Sequence, residues 1–505
     1  MSRSIYARLH RRFGQRSSGA EHHRRVRRAI DKLKHKFNVE RLEPNGRARN
    51  PKGRVLVVGG GFGGLSAAYL LSNWFDVTVL EASGRLGGRV HSRDDFTPGR
   101  TIEFGAELIG WNHPLWLHFA ERFGLGLSML TDESSFSAMG MESPLYLNGR
   151  LLDNDTAEQV YNEMTEAFKS IEKDAKRIEE PYKPWRAPNA RELDATSLSD
   201  WLEKVKASAL TKAAIQAQFE NNNGVPLSRQ SYLGAVAAVA GSALWYDDKL
   251  DAYWEDSEVA RCSAGNQGLA IELGNRIGAS SGCGVRLNAP VRAVTIRDGG
   301  VEVEADGLGR IEADFVIFAV PPTMWPTIRV TPEITFAPQL GKVVKYFSNV
   351  RSRFWYGDRR APTALDDAFG MTWEGTDNQI GGAGFTLSVF AGSKAAEAAI
   401  AAPDARAFYD ERIGAVYPSY RQNLEKSELM NWEAAEWTRG GYSVPAPNQV
   451  TTVGKLVNKP FHERLFFAGE HVCIPYFGYM EGALESGLLA ARRVLKKAAI
   501  ELPAD

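Results

Sequence analysis

The sequence predicts an α/β fold, with a parallel-sheet domain built to hold a dinucleotide and a second, α+β domain beside it. Three observations carry this expectation. Residues 54–92 run strand, glycine-rich turn, helix, strand; residues 111–255 show helical periodicity; residues 291–320 return to short β-rich runs.

The first stretch is the most specific. Val55–Val58 is a short apolar, β-branched run of the kind that forms a strand buried on both faces. Gly59, Gly61 and Gly64 follow in G-x-G-x-x-G spacing with Gly63 among them, then a helix-like Leu65–Leu71 and a second apolar run, Val77–Leu80, ending at Glu81. Glycines there let the backbone approach a pyrophosphate, and the helix start offers free N–H groups and partial positive charge. Glu81 is placed to accept from a ribose hydroxyl. Glycines alone would equally serve plain turns; strand, helix and terminal acid together make this a Rossmann-like unit.

Just past Glu81 and Ala82, Arg85, Gly87, Gly88 and Arg89 spell R-x-G-G-R. Far away lie Phe318-Ala319-Val320-Pro321-Pro322, Phe466-Phe467-Ala468-Gly469-Glu470 and Gly478-Tyr479-Met480-Glu481-Gly482-Ala483. With these motifs in this order, from Arg54 to about Leu495, the chain resembles the flavin-containing amine oxidase family. That family includes monoamine, polyamine and L-amino-acid oxidases. The resemblance implies a Rossmann-like FAD-binding domain, discontinuous in sequence (53–110, 256–326 and 431–498). A substrate-binding domain is expected over 111–255 and 327–430. It implies FAD contacts from Gly59, Gly61, Gly63, Gly64, Glu81 and Ala82, and from Arg85, Gly88 and Arg89 in the second glycine turn. Gly105 and Ala106 would lie beside the flavin ring and Val291 at the adenine end. Gly469, Glu470, Gly478, Tyr479, Met480 and Ala483 would complete the site.

Bulk properties bound the rest. The 505 residues suffice for two or three domains, and 44% hydrophobic content with a mean hydropathy of -0.30 describes an ordinary water-exposed protein. No apolar run is long enough for a bilayer. Net charge is +0, so no nucleic acid is expected from global charge. The three cysteines, Cys262, Cys283 and Cys473, have neither metal-ligand spacing nor a disulfide framework, which points to a reducing, cytoplasmic setting and no metal.

Residues 1–52 form a basic amphipathic arm set apart from the core. Ile5, Leu9 and Phe13, and again Val26, Ile30, Leu33 and Phe37, fall at helical spacing among many Arg and Lys. Arg11-Arg12 resembles a twin-arginine signal but lacks the apolar segment. The plain reading is a helical arm packed on its own or a neighbouring subunit, in a homo-oligomer, or a solvated leader; the functional one is contact with an anionic membrane surface, a nucleic acid or an acidic partner.

Further along, Glu103 to Gly110 resembles the family segment passing the flavin. Members acting on α-amino acids place an arginine shortly after the Gly-Ala pair to clamp the carboxylate; here that place holds Leu108, and no arginine occurs between Arg100 and Arg122. Glu158–Ile171 and Leu198–Phe219 read as helices broken by Glu180–Pro184, and Trp245, Tyr246, Tyr253 and Trp254 are candidate pocket walls or simply core. Val291–Ile296 and Val301–Ala305 alternate around Asp298-Gly299-Gly300, a hairpin signal. Where the family usually carries a lysine linked to oxygen reactivity, after the Pro-Pro pair, this chain has Thr327. The expected consequence is slow oxygen reduction and a redox protein as acceptor, unless Lys342 or Lys345 substitutes. Trp373 or Glu374 in the strand-like 369–375 run is a pocket candidate. Tyr442 and Tyr479 resemble the two walls of an aromatic cage facing the substrate nitrogen. No cysteine lies near Tyr442, where some relatives attach FAD, so non-covalent FAD is expected.

The chemistry implied is oxidation of an amine C–N bond, with a hydride equivalent passing from the α-carbon to flavin N5 and the imine then hydrolysing. The expected substrate is an aromatic or secondary amine without an α-carboxylate, and the acceptor oxygen or a redox protein. The rival readings are an L-amino-acid oxidase, a desaturase-like flavoprotein acting on C–C bonds, and a non-catalytic scaffold using the basic arm.

Overall fold

The computed structural model describes residues 4–14, 19–44, 50–245 and 252–501. Helices α1 (Ile5–Phe13) and α2 (Gly19–Phe37) precede the first strand. β1 (Arg54–Val58), β2 (Asp76–Leu80), β3 (Gly284–Arg286), β4 (Phe315–Phe318) and β5 (Leu465–Phe467) form one parallel sheet in the order β5-β4-β1-β2-β3. Val55 lies opposite both Phe315 and Val77, and helices cover the sheet, which is why β1 after its exposed Arg54, and β4 throughout, are apolar.

Helix α3 (Phe62–Leu71) leaves the turn after β1. Gly64 brings it close to the sheet: a Cβ there would strike the Gly59 carbonyl. A four-stranded sheet flanks this domain, and its Val291–Arg297 and Gly300–Ala305 strands make the expected hairpin around Asp298-Gly299. The second domain is a seven-stranded mixed sheet, including Val343–Val350, Gly370–Glu374 and Phe385–Gly392, covered by helices such as Asn154–Ala175 and Tyr232–Ala243. The short α4 (Ala252–Asp256) leads out of it. The chain closes with α5 (Met480–Lys497), packed along α3 with Ser66 Oγ donating to Leu484 O at 2.9 Å.

Two expectations are corrected. The helical run Leu198–Phe219 is two helices, Leu198–Lys204 and Ala209–Asn223, because Ser208 caps a new start by accepting from Thr211 N at 3.2 Å. The N-terminal helices are not set apart from the core. Ala29, Ile30, Leu33 and Phe37 join the cluster containing β1 and β2, while Ile5, Tyr6 and Leu9 join that of the second domain. An apolar stripe of that width is more stable buried than standing in water. Among the described residues, no helix is long and apolar enough to cross a membrane.

Candidate active site

A cavity of about 510 Å³ runs between the two domains, from the glycine turn after β1 to the face of the mixed sheet. Every FAD candidate named from the sequence lines it except Gly64, which packs α3 onto β1, and so do Leu108, Thr327, Trp373, Tyr442 and Tyr479.

At the cradle end the turn is set by backbone geometry. Gly59 has φ +109°, and a Cβ on it would lie 2.6 Å from Ala319 O. Gly61 caps α3, so the first N–H groups of that helix face the cavity. The fit to a dinucleotide rests on bareness: the nearest atom to a Cβ on Gly61 is 3.9 Å away and on Gly88 3.4 Å away, so both backbones are open to the cavity. Glu81 holds the turn from below, accepting from Gly60 N at 2.6 Å and from Ser83 N at 2.8 Å. The second glycine turn is pinned by Arg85, whose guanidinium donates to Val90 O (3.0 Å) and Gly88 O (2.7 Å).

Glu470 stitches four segments together. It accepts from Arg89 at 2.7 Å, from Ser443 N and Oγ, and from Gly478 N at 2.7 Å. Burial pushes its carboxyl upward, yet the Arg89 charge and these donors outweigh that and hold it below the usual carboxylate range.

The end away from the glycine turns is aromatic. Tyr442 donates to Asn222 O, and Gly478, at φ +78°, lets its ring close in: a Cβ there would be 2.9 Å from Tyr442 Cδ2. Tyr479 donates to Glu258 Oε1 at 3.1 Å, and the His113 ring meets it edge-on at 5.2 Å. Burial pushes His113 down to about 3, so it packs there as a neutral imidazole, with Gly110 N donating to its Nδ1. Burial raises both tyrosine phenols well above their ordinary value, so they stay protonated.

Trp373 faces the cavity and donates to Glu107 at 2.9 Å, whereas Glu374 points to Arg353 and does not line it. Thr327 lines the cavity with its hydroxyl donating to Met324 O. Lys342 sits outside it, paired with Glu397, but Lys345 lines it and donates to Glu103 O, Gly105 O and Glu107. Of the aromatic candidates in the helical insertion only Tyr253 reaches the cavity; Trp245 packs on Phe37 and Trp254 stacks on Phe168, and Tyr246 lies outside the described residues.

Sequence reasoning missed Glu258, Glu107 with its partner Arg261, and Asn222. Glu258 has no local signature at all: it is a glutamate in the left-handed region, φ +62°, in a segment fixed only by distant partners. Glu107 was readable as part of the Gly-Ala segment, but not its pairing with residues far along the chain.

Comparison with known proteins follows this geometry. A family model described as flavin containing amine oxidoreductase matches residues 62–495. The chain is similar to the nicotine dehydrogenase of Pseudomonas putida, 27% identical over 87% of this chain and 88% of that one. It is also similar to flavin-containing amine oxidase A of Sus scrofa, 26% identical over 87% and 84%. Among solved structures, cyclohexylamine oxidase from Brevibacterium oxydans aligns with a TM-score of 0.75 at 21% identity, covering 88% of this chain and 99% of that one. Putrescine oxidase bound to putrescine aligns at 0.74 and 23% identity, covering 88% and 99%.

Proposed function

Because this chain belongs to the flavin-containing amine oxidoreductase family, an FAD enzyme acting on CH–NH or CH–NH2 groups, we propose that it oxidises an aromatic or secondary amine lacking an α-carboxylate. The observation that carries the choice is the charge lining the cavity. Its arginines are Arg85, Arg89 and Arg292, all at the cradle end and held by loop carbonyls, Glu470 and Asp306 respectively. Arg261, which lies across from Leu108 where Ile109 pairs with Ala260, is committed to Glu107, Gly375 O and Asp377 O. A substrate carboxylate would meet Leu108 and aromatic rings, with no bidentate donor among the described residues to receive it.

Bound FAD supplies the electron acceptor for the C–N bond. The residues of this chain supply position and medium. Tyr442 and Tyr479, each fixed through its hydroxyl, present ring faces to the amine, and Trp373 and Phe390 exclude water. In that environment the ammonium form is penalised by lost hydration, so the neutral, oxidisable amine is favoured without a strong base. The imine product leaves to hydrolyse to a carbonyl compound and an amine or ammonia. The cofactor is held non-covalently in this reading; among the described residues no cysteine lines the cavity, which supports it.

We place the natural acceptor among redox proteins. Thr327 offers no charge, and the three N–H donors of Lys345 are taken by Glu103 O, Gly105 O and Glu107, which leaves that ammonium no hydrogen to direct at a developing superoxide. One experiment tests both parts: anaerobic mixing of the holoenzyme with aromatic and secondary amines and with L-amino acids, followed by admission of oxygen. Flavin bleaching by the amines alone, with slow recovery in air, is expected. Bleaching by amino acids overturns the substrate class, and fast recovery overturns the acceptor.

A further inference from the structure

We propose that the N-terminal helices are a specificity-determining element of the substrate cavity, with Arg8 as the positioning residue for the wall that carries Met371 and Trp373. This deepens the preceding reading and rests on it for the class of substrate.

Arg8 leaves α1 buried, and its guanidinium spans two carbonyls: Nη1 donates to Thr363 O at 2.8 Å and Nη2 to Thr372 O at 3.2 Å. Thr372 is the middle residue of the Gly370–Glu374 strand, and the residues on either side of it, Met371 and Trp373, line the cavity. On this edge the strand's ladder sets Gly370 against Asp366 and Met371 against Leu365. At the next pair, Thr372 and Ala364, a regular antiparallel ladder would exchange both backbone bonds. Here Thr372 N does donate to Ala364 O at 2.8 Å, but Ala364 N turns to the Thr372 hydroxyl, at 2.9 Å. Arg8 supplies the Thr372 carbonyl with the donor that the ladder diverts. Thr363 and Thr372 are both buried, and a buried carbonyl left without a donor is costly. The arginine thus holds the strand at the place where its pairing on this edge gives out and Trp373 meets the cavity.

The same segment holds a second wall. Tyr6 of α1 meets Trp254 edge-on at 5.2 Å, and Arg25 of α2 stands 3.4 Å from Asp256. Both contacts fall on α4, whose Tyr253 lines the cavity. Two walls of the cavity therefore lean on helices outside the residues that the family model matches. The space between such walls decides which amine side chain fits, and a planar guanidinium fork bonded to backbone fixes one of them more rigidly than a single donor would. Arg8 does not itself line the cavity, so it reaches the substrate through Met371 and Trp373.

The test uses the holoenzyme and two amines with no hydrogen on the α-carbon, cumylamine and tert-butylamine, which bind without giving up a hydride. Their binding is measured by titration calorimetry, and anaerobic flavin bleaching by benzylamine is followed separately. The wild-type protein is expected to prefer cumylamine, whose ring fills the space between the walls. In Arg8→Met that preference should shrink about tenfold, while tert-butylamine binding stays within about twofold and flavin content is unchanged. Arg8→Lys, whose compact ammonium keeps the charge but not the fork, should shrink it by less. A wild-type protein without the preference, or a preference unchanged in both variants, overturns the proposal. So does an equal loss for both amines with a lowered melting temperature, which is what a merely structural role gives. Should Arg8→Met fail to fold, Arg8→Lys decides alone, and an unchanged preference there overturns the proposal. A shifted preference without bleaching by benzylamine would uphold the positioning role and sink the oxidation reading; bleaching with an unshifted preference would do the reverse.

Discussion

The cavity has two ends, and they are held in different ways. At the cradle, Gly59, Gly61, Gly63 and Glu81 belong to one local unit, and Glu81 reaches back only as far as Gly60 N. At the substrate end, Glu258 is placed by Ile109 and Trp111 and, one layer behind, by the N-terminal helices. Tyr6 of α1 meets Trp254 of α4 edge-on at 5.2 Å, and Arg25 of α2 lies 3.4 Å from Asp256 at the end of α4. Arg8 donates to Thr363 O and Thr372 O, beside the strand that carries Met371 and Trp373. The family match begins at residue 62, so it takes in Gly63 and Glu81 but leaves out both helices together with β1, Gly59 and Gly61. The glycine turns are thus shaped largely by near neighbours in sequence, whereas the wall carrying Glu258 rests on two helices outside the family match.

The largest expected effect breaks the cradle. Gly59→Ala places a Cβ at φ +109° and 2.6 Å from Ala319 O, combining backbone strain and overpacking for a total of about 3–5 kcal/mol. Flavin affinity should fall about a hundredfold or more, read as flavin content after gel filtration. Stoichiometric flavin in that variant would show that the turn tolerates a side chain. The arm should respond otherwise. Leu33 is fully buried against the sheet helices, and Leu33→Ala should cost about 2–4 kcal/mol by urea unfolding while flavin stays bound. A loss within about 0.5 kcal/mol would mean the arm is an appendage after all.

The same contrast explains what the residues disclosed in advance. The strand–turn–helix unit, the β-hairpin at Asp298-Gly299 and the final helix are specified by neighbours in sequence, so spacing reveals them. Tyr442 and Tyr479 were reached through motifs of the resemblance, and the structure brings both to one cavity. Glu258 was invisible because its conformation is imposed by Ile109 and Trp111, far away in the chain. The arm's packing on its own subunit was among the readings, but its place in the core was not legible, for a related reason. Its amphipathic stripe was legible, but the stripe names no partner, and charge on the other face made it look solvated. Lys345 shows the limit most plainly, since its three acceptors, Glu103 O, Gly105 O and Glu107, lie far from it in sequence.

The smallest effect sharpens the comparison through pH. Glu470 seams the cradle; Glu485 sits on α5 where Tyr182, under Phe37 of the arm, donates to it at 2.7 Å. The two carboxyls are shifted in opposite directions. At Glu470 burial is outweighed by Arg89 and backbone donors, so the folded-state value lies below the unfolded one. Its contribution is present above the ordinary carboxylate range and lost as pH falls through the depressed value, where the unfolded chain binds the proton first. At Glu485 burial outweighs the bonds from Tyr182, Cys473 and Glu481, and at Glu481 burial and the Glu485 charge both push the carboxyl up, so this pair retains a proton in the fold. Its contribution is full below the ordinary range and lost as pH rises, because the folded chain now binds the extra proton. Acid should therefore loosen the cradle, seen as flavin fluorescence appearing before global unfolding. Alkali should instead lower the melting temperature by a few degrees with flavin still bound. Glu485→Gln, which mimics the protonated side chain, should flatten the alkaline limb and leave the acid limb in place. An alkaline decline undiminished in that variant would assign it to another group and remove the arm junction as its source.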